Sequence, residues 1–392
     1  MFKQKFTDKE LTRIKDSNLY RELKTVSLHS TTNASVNGIR VINLCSNDYL
    51  GISQNKHVLK ETKKRLGRVS QCSSRLLAGN SEVLEELEER LAEHRGTESS
   101  LVYPTGYMAN LGVISVLADK NSAIFSDEMN HASIIDGCRM TKALICVFRH
   151  NDMSNLEQQM LKFNRKTNII ITEGLFGMDG DFSRLKEICA LAIKYDAITI
   201  VDDAHGDFIF GSQPNLFAGV PSEQKVSKMV DVHTSSLSKA LGCFGGYVAT
   251  TRRIRELLVN KSRQFIYTSA LPSHLCTSAL SAIPLAKYGN LQERLFRNVS
   301  FFRTGLQELG FFLGKSNGQI IPIVVGNEKL SLRFSQELLK NRIFAQPIRY
   351  PTVKKNSARI RLTVTSPFAK KQLATVIDSF GRAARKCGIL QP

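Results

Sequence analysis

Apolar runs long enough to cross a membrane are missing from this sequence of 392 residues, as are closely spaced cysteines. None of the eight cysteines forms a C-x-x-C pair or stands at zinc-finger spacing from a histidine, which argues against a metal site. Scattered thiols suit a reducing compartment. The N-terminal residues carry charges where a secretory signal needs an apolar core. We therefore expect a soluble cytoplasmic protein with no metal and no membrane partner.

Acidic residues are also few in comparison with basic residues. The chain has 35 Asp and Glu against 54 Lys and Arg, which gives a formal net charge of +19. Such an excess suits anionic partners such as phosphates, coenzyme A, nucleic acid or an anionic membrane. The basic residues are spread along the chain and form no uninterrupted tail, so a nucleic-acid role has no recognisable module. We expect no nucleic-acid partner.

Hydrophobic residues make up 42% and charged residues 23% of the chain, as in ordinary globular proteins. Short apolar runs alternate with amphipathic helical segments, and each run ends in polar or Gly-rich residues. Four of these runs are 99–103, 143–148, 168–172 and 197–201. The pattern predicts an α/β fold with a mostly parallel sheet. The domains predicted are an N-terminal segment at 1–45, a large domain at 46–285 and a smaller α+β domain at 286–392.

Lys239 lies in the stretch 231–246, between small polar residues and a Gly-rich tail. The residues before it are β-prone and become polar towards the lysine, which is typical of a strand that opens into a loop at the edge of an active site. A lysine there can act as a nucleophile and form a Schiff base if burial or nearby positive charge lowers its pKa. An exposed lysine in a Ser/Gly loop is the commoner meaning of so short a motif.

Other segments help to decide whether Lys239 is catalytic or an exposed loop residue. The functional residues of an open parallel sheet gather beyond the carboxyl ends of its strands. Gly106 opens a strand-to-helix turn that can bind a phosphate or be a plain tight turn. Asp202 and His205 follow an apolar run and can hold a heterocyclic nitrogen and a neighbouring oxygen, bind a metal or cap a helix. His131 precedes a helix, where it can stack on a ring or cap the helix. The Gly/Asp-rich loop at 173–181 suits a site or a surface turn.

A phosphate turn, a stacking ring, an acid for a pyridinium nitrogen and a reactive amine together meet the requirements of pyridoxal 5'-phosphate (PLP). The chain resembles the α-oxoamine synthases, a branch of the fold-type I PLP enzymes, over nearly its whole length. The match is strongest to the members that act in biotin formation. The matching segments are 46–51, 105–110, 131–133, 172–180, 202–206, 236–242, 266–272 and 348–353.

The resemblance implies the cofactor contacts. Lys239 would hold PLP as a Schiff base, Asp202 would pair with the pyridine nitrogen, His205 would lie near the phenolic oxygen, and His131 would stack on the ring. These four residues are the predicted catalytic set. The residues expected to contact the phosphate or the ring edge are Gly106, Tyr107, Gly177 and Ser236, with Thr268 or Ser269 reaching into the site of a partner subunit, since the family forms homodimers with shared active sites.

The resemblance also implies the reaction, a decarboxylative condensation of an amino acid, expected to be L-alanine, with an acyl-CoA, expected to be pimeloyl-CoA. The Lys239 amine removes the α-proton as a general base, the carbanion attacks the thioester, and an aminoketone, CoA and carbon dioxide result. Arg361 is the candidate for the amino-acid carboxylate, because a guanidinium can hold it by two hydrogen bonds. The predicted substrate-binding residues are Arg21, Asn47, His131, Arg349, Thr352 and Arg361.

Several positions depart from the family pattern. The run at 67–75 is nearly free of glycine where the family is Gly-rich, and Leu84 and the Pro-Phe pair at 367–368 stand where histidine and Ala-His are usual. Gly177 replaces a serine, which removes one cofactor hydrogen bond, and Phe208 replaces a glycine. These differences bear on acyl-chain specificity more than on PLP binding. Transfer of an acetyl group from acetyl-CoA to glycine, and a PLP-binding paralogue without turnover, stay open as alternatives.

Overall fold

The computed structural model of the protein describes residues 2–214 and 216–391. Its α-helices are α1 (Phe2–Asp16), α2 (Lys56–Lys64), α3 (Glu82–Arg95), α4 (Gly106–Leu117), α5 (Ala132–Arg139), α6 (Met153–Phe163), α7 (Leu185–Lys194), α8 (Gly219–Glu223), α9 (Arg252–Lys261), α10 (Arg263–Ile266), α11 (Ser273–Tyr288), α12 (Leu291–Glu308), α13 (Glu328–Lys340) and α14 (Lys370–Cys387). Its strands are β1 (Val26–Leu28), β2 (Asn33–Val36), β3 (Ile39–Asn43), β4 (Ser99–Tyr103), β5 (Ser122–Asp127), β6 (Leu144–Phe148), β7 (Thr167–Glu173), β8 (Ala197–Asp202), β9 (Val232–Ser236), β10 (Gly246–Thr250), β11 (Ile320–Gly326), β12 (Ile343–Phe344), β13 (Pro347–Ile348) and β14 (Ala358–Thr363).

A seven-stranded sheet has the order β4-β10-β9-β8-β7-β5-β6. Each pair from β9 to β6 is parallel, whereas β10 runs antiparallel to both β4 and β9. The predicted mostly parallel sheet is therefore confirmed. In β7, all six residues from Asn168 to Glu173 are buried, which is the pattern of a strand covered on both faces of its sheet.

The carboxyl ends of the parallel strands meet at one edge of this sheet. Glu173 ends β7 and Asp202 ends β8, and the two residues are neighbours in register. Ser236 ends β9 and Tyr103 ends β4. Gly246, at the start of the antiparallel β10, pairs with both of them. The polar loops that the sequence places after these strands are thus gathered at this edge, as an open parallel sheet requires.

Helix α4 packs its buried residues into the main apolar core of the sheet. Its sequence is apolar on nearly all sides, which is typical of a buried helix. The structure begins the helix at Gly106, five residues before the mostly apolar stretch 111–117 of the sequence. The earlier start has a local cause, since Oγ1 of Thr105 accepts the N–H of Met108 at 3.1 Å and caps the first turn.

The chain divides into two compact units. The larger unit is Asn47–Gly177 with Asp181–Gln292, and it contains the seven-stranded sheet. The smaller unit combines the residues up to Ser46, the short segment Met178–Gly180 and the residues from Glu293 onward. The division predicted from the sequence is different: it has an N-terminal segment at 1–45 and separate domains at 46–285 and 286–392. The structure joins the first and last of these, because β3 pairs in parallel with β12.

The smaller unit is α+β, as the sequence predicts. Its three-stranded sheet has the order β11-β14-β13, and the helices α12, α13 and α14 belong to the same part of the chain. A second sheet, β1-β2-β3-β12, uses strands from both ends of the sequence. That long-range pairing has no local sequence signal, which explains why the N-terminal segment looked independent.

In the part of the chain that the structure describes, no helix is long and apolar enough to cross a membrane. Nor does any group of three or more His, Cys, Asp or Glu side chains among the described residues have an arrangement that could hold a metal ion. All eight cysteines are free thiols.

Candidate active site

A cavity of about 200 Å³ opens at the carboxyl ends of the strands in the larger unit. It is lined by Thr105, Gly106, Tyr107, Asn110, His131, Ser133, Glu173, Asp202, Ala204, His205, Ser236, Ser238, Lys239, Phe244 and Gly245. The structure therefore brings Lys239, Asp202, His205 and His131, the predicted catalytic residues, to one place. Gly106, Tyr107 and Ser236, predicted at the phosphate, line the same cavity.

Lys239 is half-buried in a tight loop that follows β9. The loop is closed by backbone hydrogen bonds from Leu237 to the carbonyl of Gly245 (3.0 Å) and from Gly242 to the carbonyl of Lys239 (3.0 Å). Gly242 has a φ of +62°, and a β-carbon there would lie 2.6 Å from the backbone nitrogen of Ser53. A side chain at this position is therefore excluded on two grounds. These constraints hold the lysine at the cavity wall rather than on a mobile surface loop.

One end of the cavity is suited to a phosphate. Gly106 and Tyr107 form the first turn of α4, where backbone N–H groups have no partner within the helix and carry its positive dipole end. The hydroxyls of Ser236 and Ser238 lie 2.7 Å apart beside them. A β-carbon at Gly106 would lie 3.1 Å from that of Ser236, so glycine keeps the helix terminus close to the hydroxyl.

Asp202 is buried and its two carboxylate oxygens have separate donors. Oδ2 accepts the side-chain amide of Asn110 at 2.6 Å, and Oδ1 accepts the backbone N–H of Ala204 at 3.1 Å. Asn110 is oriented in turn by Thr234, whose hydroxyl donates to Oδ1 of Asn110 at 2.6 Å. These bonds fix the Asp202 carboxyl at the cavity, where it can pair with a heterocyclic nitrogen.

His131 caps α5, and its ring forms part of the exposed wall of the cavity. Its Nδ1 accepts the backbone N–H of Ser133 at 3.2 Å and lies 2.8 Å from the Ser133 hydroxyl. The same hydroxyl accepts the amide of Asn110 at 2.9 Å. Asn110 thus connects the residue expected to stack on the ring with Asp202. Sequence reasoning assigned no role to Asn110 or Ser133, although both lie in the family motifs at 105–110 and 131–133.

His205 is buried, and its Nδ1 lies 2.6 Å from the hydroxyl of Tyr49. That hydroxyl is also 3.2 Å from Oδ1 of Asn47, the predicted substrate residue of this unit. Gly177 approaches from the loop after β7, where a β-carbon would lie 2.6 Å from Nε2 of His205. The Nε2 atom of His205 therefore lies close to the position that a serine side chain would need. Gly177 does not line the cavity itself.

Glu173 is a cavity residue that sequence reasoning treated only as part of a loop. It is 5% exposed, and its Oε2 accepts the backbone N–H of Gly177 at 3.1 Å. Burial and the neighbouring Asp202 raise the pKa of Glu173 well above its ordinary value, although backbone N–H groups of Gly177 and His131 act in the opposite direction. The environment at the end of β7 therefore disfavours a negative charge on Glu173.

A buried ion network supports the loop that carries Asp202 and His205. The guanidinium of Arg95 contacts Asp203 at 3.2 Å and Asp207 at 3.0 Å, and its Nε donates to the hydroxyl of Tyr247 at 2.9 Å. His94 adds a contact of 2.9 Å to Asp207. Burial raises the pKa of Asp203 to about 7 despite Arg95. At Asp207 burial acts in the same direction, but Arg95, His94 and Tyr247 together outweigh it and hold the pKa of Asp207 below the ordinary range. This network fixes the backbone on both sides of His205.

The remaining predicted residues are outside this cavity. Thr268 and Ser269 are partly or fully exposed, and Ser269 forms a bridge with Ser74. Their predicted reach into a partner's site stays a prediction. The other predicted substrate residues lie in the smaller unit, where they are described below with the proposed substrates. These residues are Arg21, Arg349, Thr352 and Arg361.

The chemistry of the cavity fits PLP. Its N–H and hydroxyl groups can hold a phosphate, Asp202 offers a carboxylate for a pyridinium nitrogen, and Lys239 offers an amine. His131 presents an exposed ring edge or face for stacking, and His205 supplies an imidazole nitrogen for the ring oxygen. The residues present therefore match each functional group of the cofactor.

Comparisons with known proteins agree with this assignment. The family model described as aminotransferase class I and II matches residues 39–380. The 8-amino-7-oxononanoate synthase of Thermoanaerobacter pseudethanolicus is 37% identical over 98% of both chains, and that of Fervidobacterium nodosum is 36% identical over the full length of both. Among solved structures, a serine palmitoyltransferase with PLP as internal aldimine superposes with a TM-score of 0.92 at 29% identity over 98% of both chains. The 8-amino-7-oxononanoate synthase of Francisella tularensis gives 0.74 at 26% identity over 88% of this chain and 98% of that one.

The fold and the cavity define a fold-type I PLP enzyme. The chain belongs to the aminotransferase class I and II family and, within it, to the α-oxoamine synthases, which are PLP-dependent acyltransferases.

Proposed function

We propose that the protein catalyses the PLP-dependent decarboxylative condensation of L-alanine with pimeloyl-CoA, a step of biotin biosynthesis. The observation that carries this proposal is the full-length similarity to relatives named 8-amino-7-oxononanoate synthase, at 36–37% identity. The cavity residues offer the groups expected to hold the cofactor and to move the α-proton. The cofactor chemistry is common to the family, so the proposal concerns the two substrates.

The bound cofactor supplies an electron sink that stabilises a carbanion at Cα of an amino acid. Lys239 would be the covalent attachment point and the general base for the α-proton, because it contributes an amine to the same cavity as the phosphate turn and Asp202. Asp202 would pair with the ring nitrogen. His131 would stack on the ring and His205 would lie near the ring oxygen.

The predicted substrate arginines have features that support carboxylate binding. Nε of Arg349 is buried and has no hydrogen-bond partner among the described residues, while its other nitrogens contact the carbonyls of Asn18 and Tyr20. Arg21 lies close enough to lower the pKa of Arg349, an effect second to that of burial. Two neighbouring guanidiniums attract an anion such as the free carboxylate of a dicarboxylic acyl chain.

Arg361 is the proposed ligand of the amino-acid carboxylate. It lies in β14, is 9% exposed, and donates from Nη1 to the hydroxyl of Thr363 at 3.1 Å. Thr352 is exposed, and its backbone N–H donates to the carbonyl of Arg349 at 3.0 Å, so the two residues share one turn. The net charge of +19 further favours the approach of the polyanionic CoA.

We propose a homodimer with shared sites, as the family resemblance implies. Several large apolar side chains of the larger unit are exposed in the single chain, which supports an interface. They are Val69 (83%), Leu77 (84%), Tyr267 (73%) and Phe244 (49%). Thr268 and Ser269 directly follow Tyr267 in the sequence, which supports a position for them near the proposed interface.

A second substrate pair has support from the structural neighbours. Serine palmitoyltransferases superpose with TM-scores of 0.92 and 0.91, higher than the 0.74 of the synthase from Francisella tularensis. Condensation of L-serine with palmitoyl-CoA is therefore the competing assignment. Acetyl-CoA with glycine is the third pair to be tested, from the family resemblance.

The deciding experiment measures CoA release and product mass over a grid of three acyl-CoAs, pimeloyl, palmitoyl and acetyl, against L-alanine, L-serine and glycine. The proposal predicts the highest kcat/KM for pimeloyl-CoA with L-alanine, and loss of activity in Lys239→Ala. Lys186→Ala, which changes an exposed lysine, is the matched control and keeps full activity. A higher kcat/KM for another pair, or no condensation with any pair, contradicts the proposal.

A further inference from the structure

Two carboxyl groups end neighbouring strands at the cavity, and one of them has no role in the chemistry described so far. Glu173 and Asp202 are direct partners in the β7–β8 register and both line the cavity. Asp202 has the family role towards a ring nitrogen. Glu173 is buried to the same degree, so a second charge at this position would be costly.

The contacts of Glu173 are made with the backbone of two other site segments. Its Oε2 accepts the N–H of Gly177 at 3.1 Å, and its carboxyl also accepts the backbone N–H of His131. Gly177 is the residue that packs against Nε2 of His205, and His131 begins the segment that carries the exposed ring. One side chain therefore joins the backbone beside both cavity histidines to the end of strand β7.

The surroundings of Glu173 disfavour a negative charge on its carboxyl. Asp202 accepts N–H donors on both of its oxygens, including the side-chain amide of Asn110. Burial, and then the charges of Asp202 and Asp127, raise the pKa of Glu173. The titratable or charged groups that face it or share its cavity are Asp127, His131, Asp202, His205 and Lys239.

We propose that Glu173 is a positioning residue: a neutral carboxylic acid that fixes the His131 and Gly177 backbone segments around the cofactor and leaves the negative charge of this edge on Asp202. The two N–H bonds need only an acceptor oxygen, which the neutral acid retains. The proposal depends on the PLP site and not on which acyl-CoA or amino acid reacts. A failure of the proposed substrate assignment therefore leaves it intact.

Two substitutions separate the acceptor function from the charge. Glu173→Gln is the neutral isostere and keeps an acceptor oxygen, whereas Glu173→Ala removes it. The measurement is the dissociation constant of PLP from apoenzyme, followed by absorption. We expect Glu173→Gln to bind PLP within about threefold of the wild type and Glu173→Ala to bind about tenfold or more weakly, from the loss of two hydrogen bonds. Glu157→Ala, which removes an exposed carboxylate paired with Lys194, is the control.

The protonation state has its own readout, which a purely structural role would not change. The infrared difference spectrum of wild type minus Glu173→Gln at neutral pH shows the carbonyl stretch of a protonated carboxyl if Glu173 is neutral. A spectrum with carboxylate bands instead overturns the proposal. So does Glu173→Gln with PLP binding as weak as that of Glu173→Ala, or Glu173→Ala with wild-type binding. If Glu173→Ala does not fold, Glu173→Asp takes its place, because it withdraws the acceptor by one carbon–carbon bond.

Discussion

The side-chain amide of Asn110 lies 2.6 Å from Oδ2 of Asp202. Asn110 is 2% exposed and its remaining hydrogen bonds go to Thr234 and Ser133, so it holds Asp202 from one side and the His131 segment from the other. The carboxyl that is expected to meet PLP in this site is therefore oriented by an asparagine that has no reaction chemistry of its own.

Asn110→Ala removes the donor that orients Asp202. We expect PLP to bind about tenfold more weakly, because a hydrogen bond to a charged group is worth roughly 1.5–3 kcal/mol. The dissociation constant of PLP from the apoenzyme checks this expectation. Asn260→Ala changes an exposed helical asparagine and serves as the control. Unchanged PLP affinity in Asn110→Ala would show that Asp202 is held without Asn110.

His150 joins β5 to the loop after β7, through contacts of 3.0 Å to Asp127 and 2.9 Å to Asp181. Burial alone lowers the pKa of His150, but hydrogen bonds to these two carboxylates outweigh it and raise the pKa from 6.5 to about 10. A histidine whose pKa is raised on folding stabilises the fold in full at pH values below its pKa in the unfolded state. The stabilisation by His150 is therefore lost as the pH rises from about 6.5 to about 10.

His150→Gln should therefore lower the free energy of unfolding by roughly 1–3 kcal/mol at pH 6 and by much less at pH 10. Urea unfolding at several pH values measures this difference. His57→Gln, at an exposed histidine, is the matched control. An equal loss of stability at both pH values would show that His150 does not stabilise the fold as a charged group between Asp127 and Asp181.

Phe208 has a φ of +60°, in the left-handed region that favours glycine. Its ring is 2% exposed and stacks on that of His94 with 3.8 Å between centroids, and its N–H and C=O bond to Phe217 and Gln292. Packing therefore maintains a backbone conformation that the family fills with glycine.

Both Phe208→Gly and Phe208→Ala should lower the free energy of unfolding by about 3–5 kcal/mol, because the buried ring is missing. Phe208→Gly should nevertheless be about 1 kcal/mol more stable than Phe208→Ala, because alanine is strained at positive φ. Phe334, fully buried in α13, provides the control, where alanine should be the more stable of the two replacements. Thermal and urea unfolding give the order, and the same order at both sites would contradict the strain argument.

Gly177 leaves no room for a β-carbon, which would lie 2.6 Å from Nε2 of His205. His205 is held on its other side by Tyr49 at 2.6 Å, so it cannot yield without losing that bond. We expect Gly177→Ser to bind PLP severalfold more weakly rather than to regain the hydrogen bond of the family serine.

Tyr49→Phe should lessen the effect of the serine, since it frees His205 to move, and the double variant should depart from additivity. Gly67→Ala is the control with unchanged binding, because a β-carbon at Gly67 would meet no other atom within 4 Å. Tighter PLP binding in Gly177→Ser would mean that the cavity accepts the family residue without a shift of His205.

Much of the site could be predicted from the sequence because its signals are local. Lys239, Asp202, His205 and Gly106 each stand just after a strand, and strand ends can be recognised from neighbouring residues. Asn110 could not be assigned in this way, since its partner Asp202 is 92 residues away. The same holds for the contact of Tyr49 with His205, across 156 residues.

The fold shows the same division between local and distant information. Strand β4 coincides with the apolar run 99–103 that the sequence indicates. The antiparallel direction of β10 and the pairing of β3 with β12 depend on contacts between distant segments. No periodicity within either segment encodes them, so the domain division at residue 46 missed the link between the two ends of the chain.

Lys239 is central to the assignment, and reduction of the PLP-loaded protein with borohydride followed by peptide mapping tests it most directly. Reduction makes the link between PLP and a lysine amine permanent. We predict a pyridoxyl group on the peptide that contains Lys239, the same result in Lys186→Ala, and no modified peptide in Lys239→Ala. A pyridoxyl group on another lysine, or none although PLP is bound, would contradict the assignment of Lys239 as the covalent attachment point.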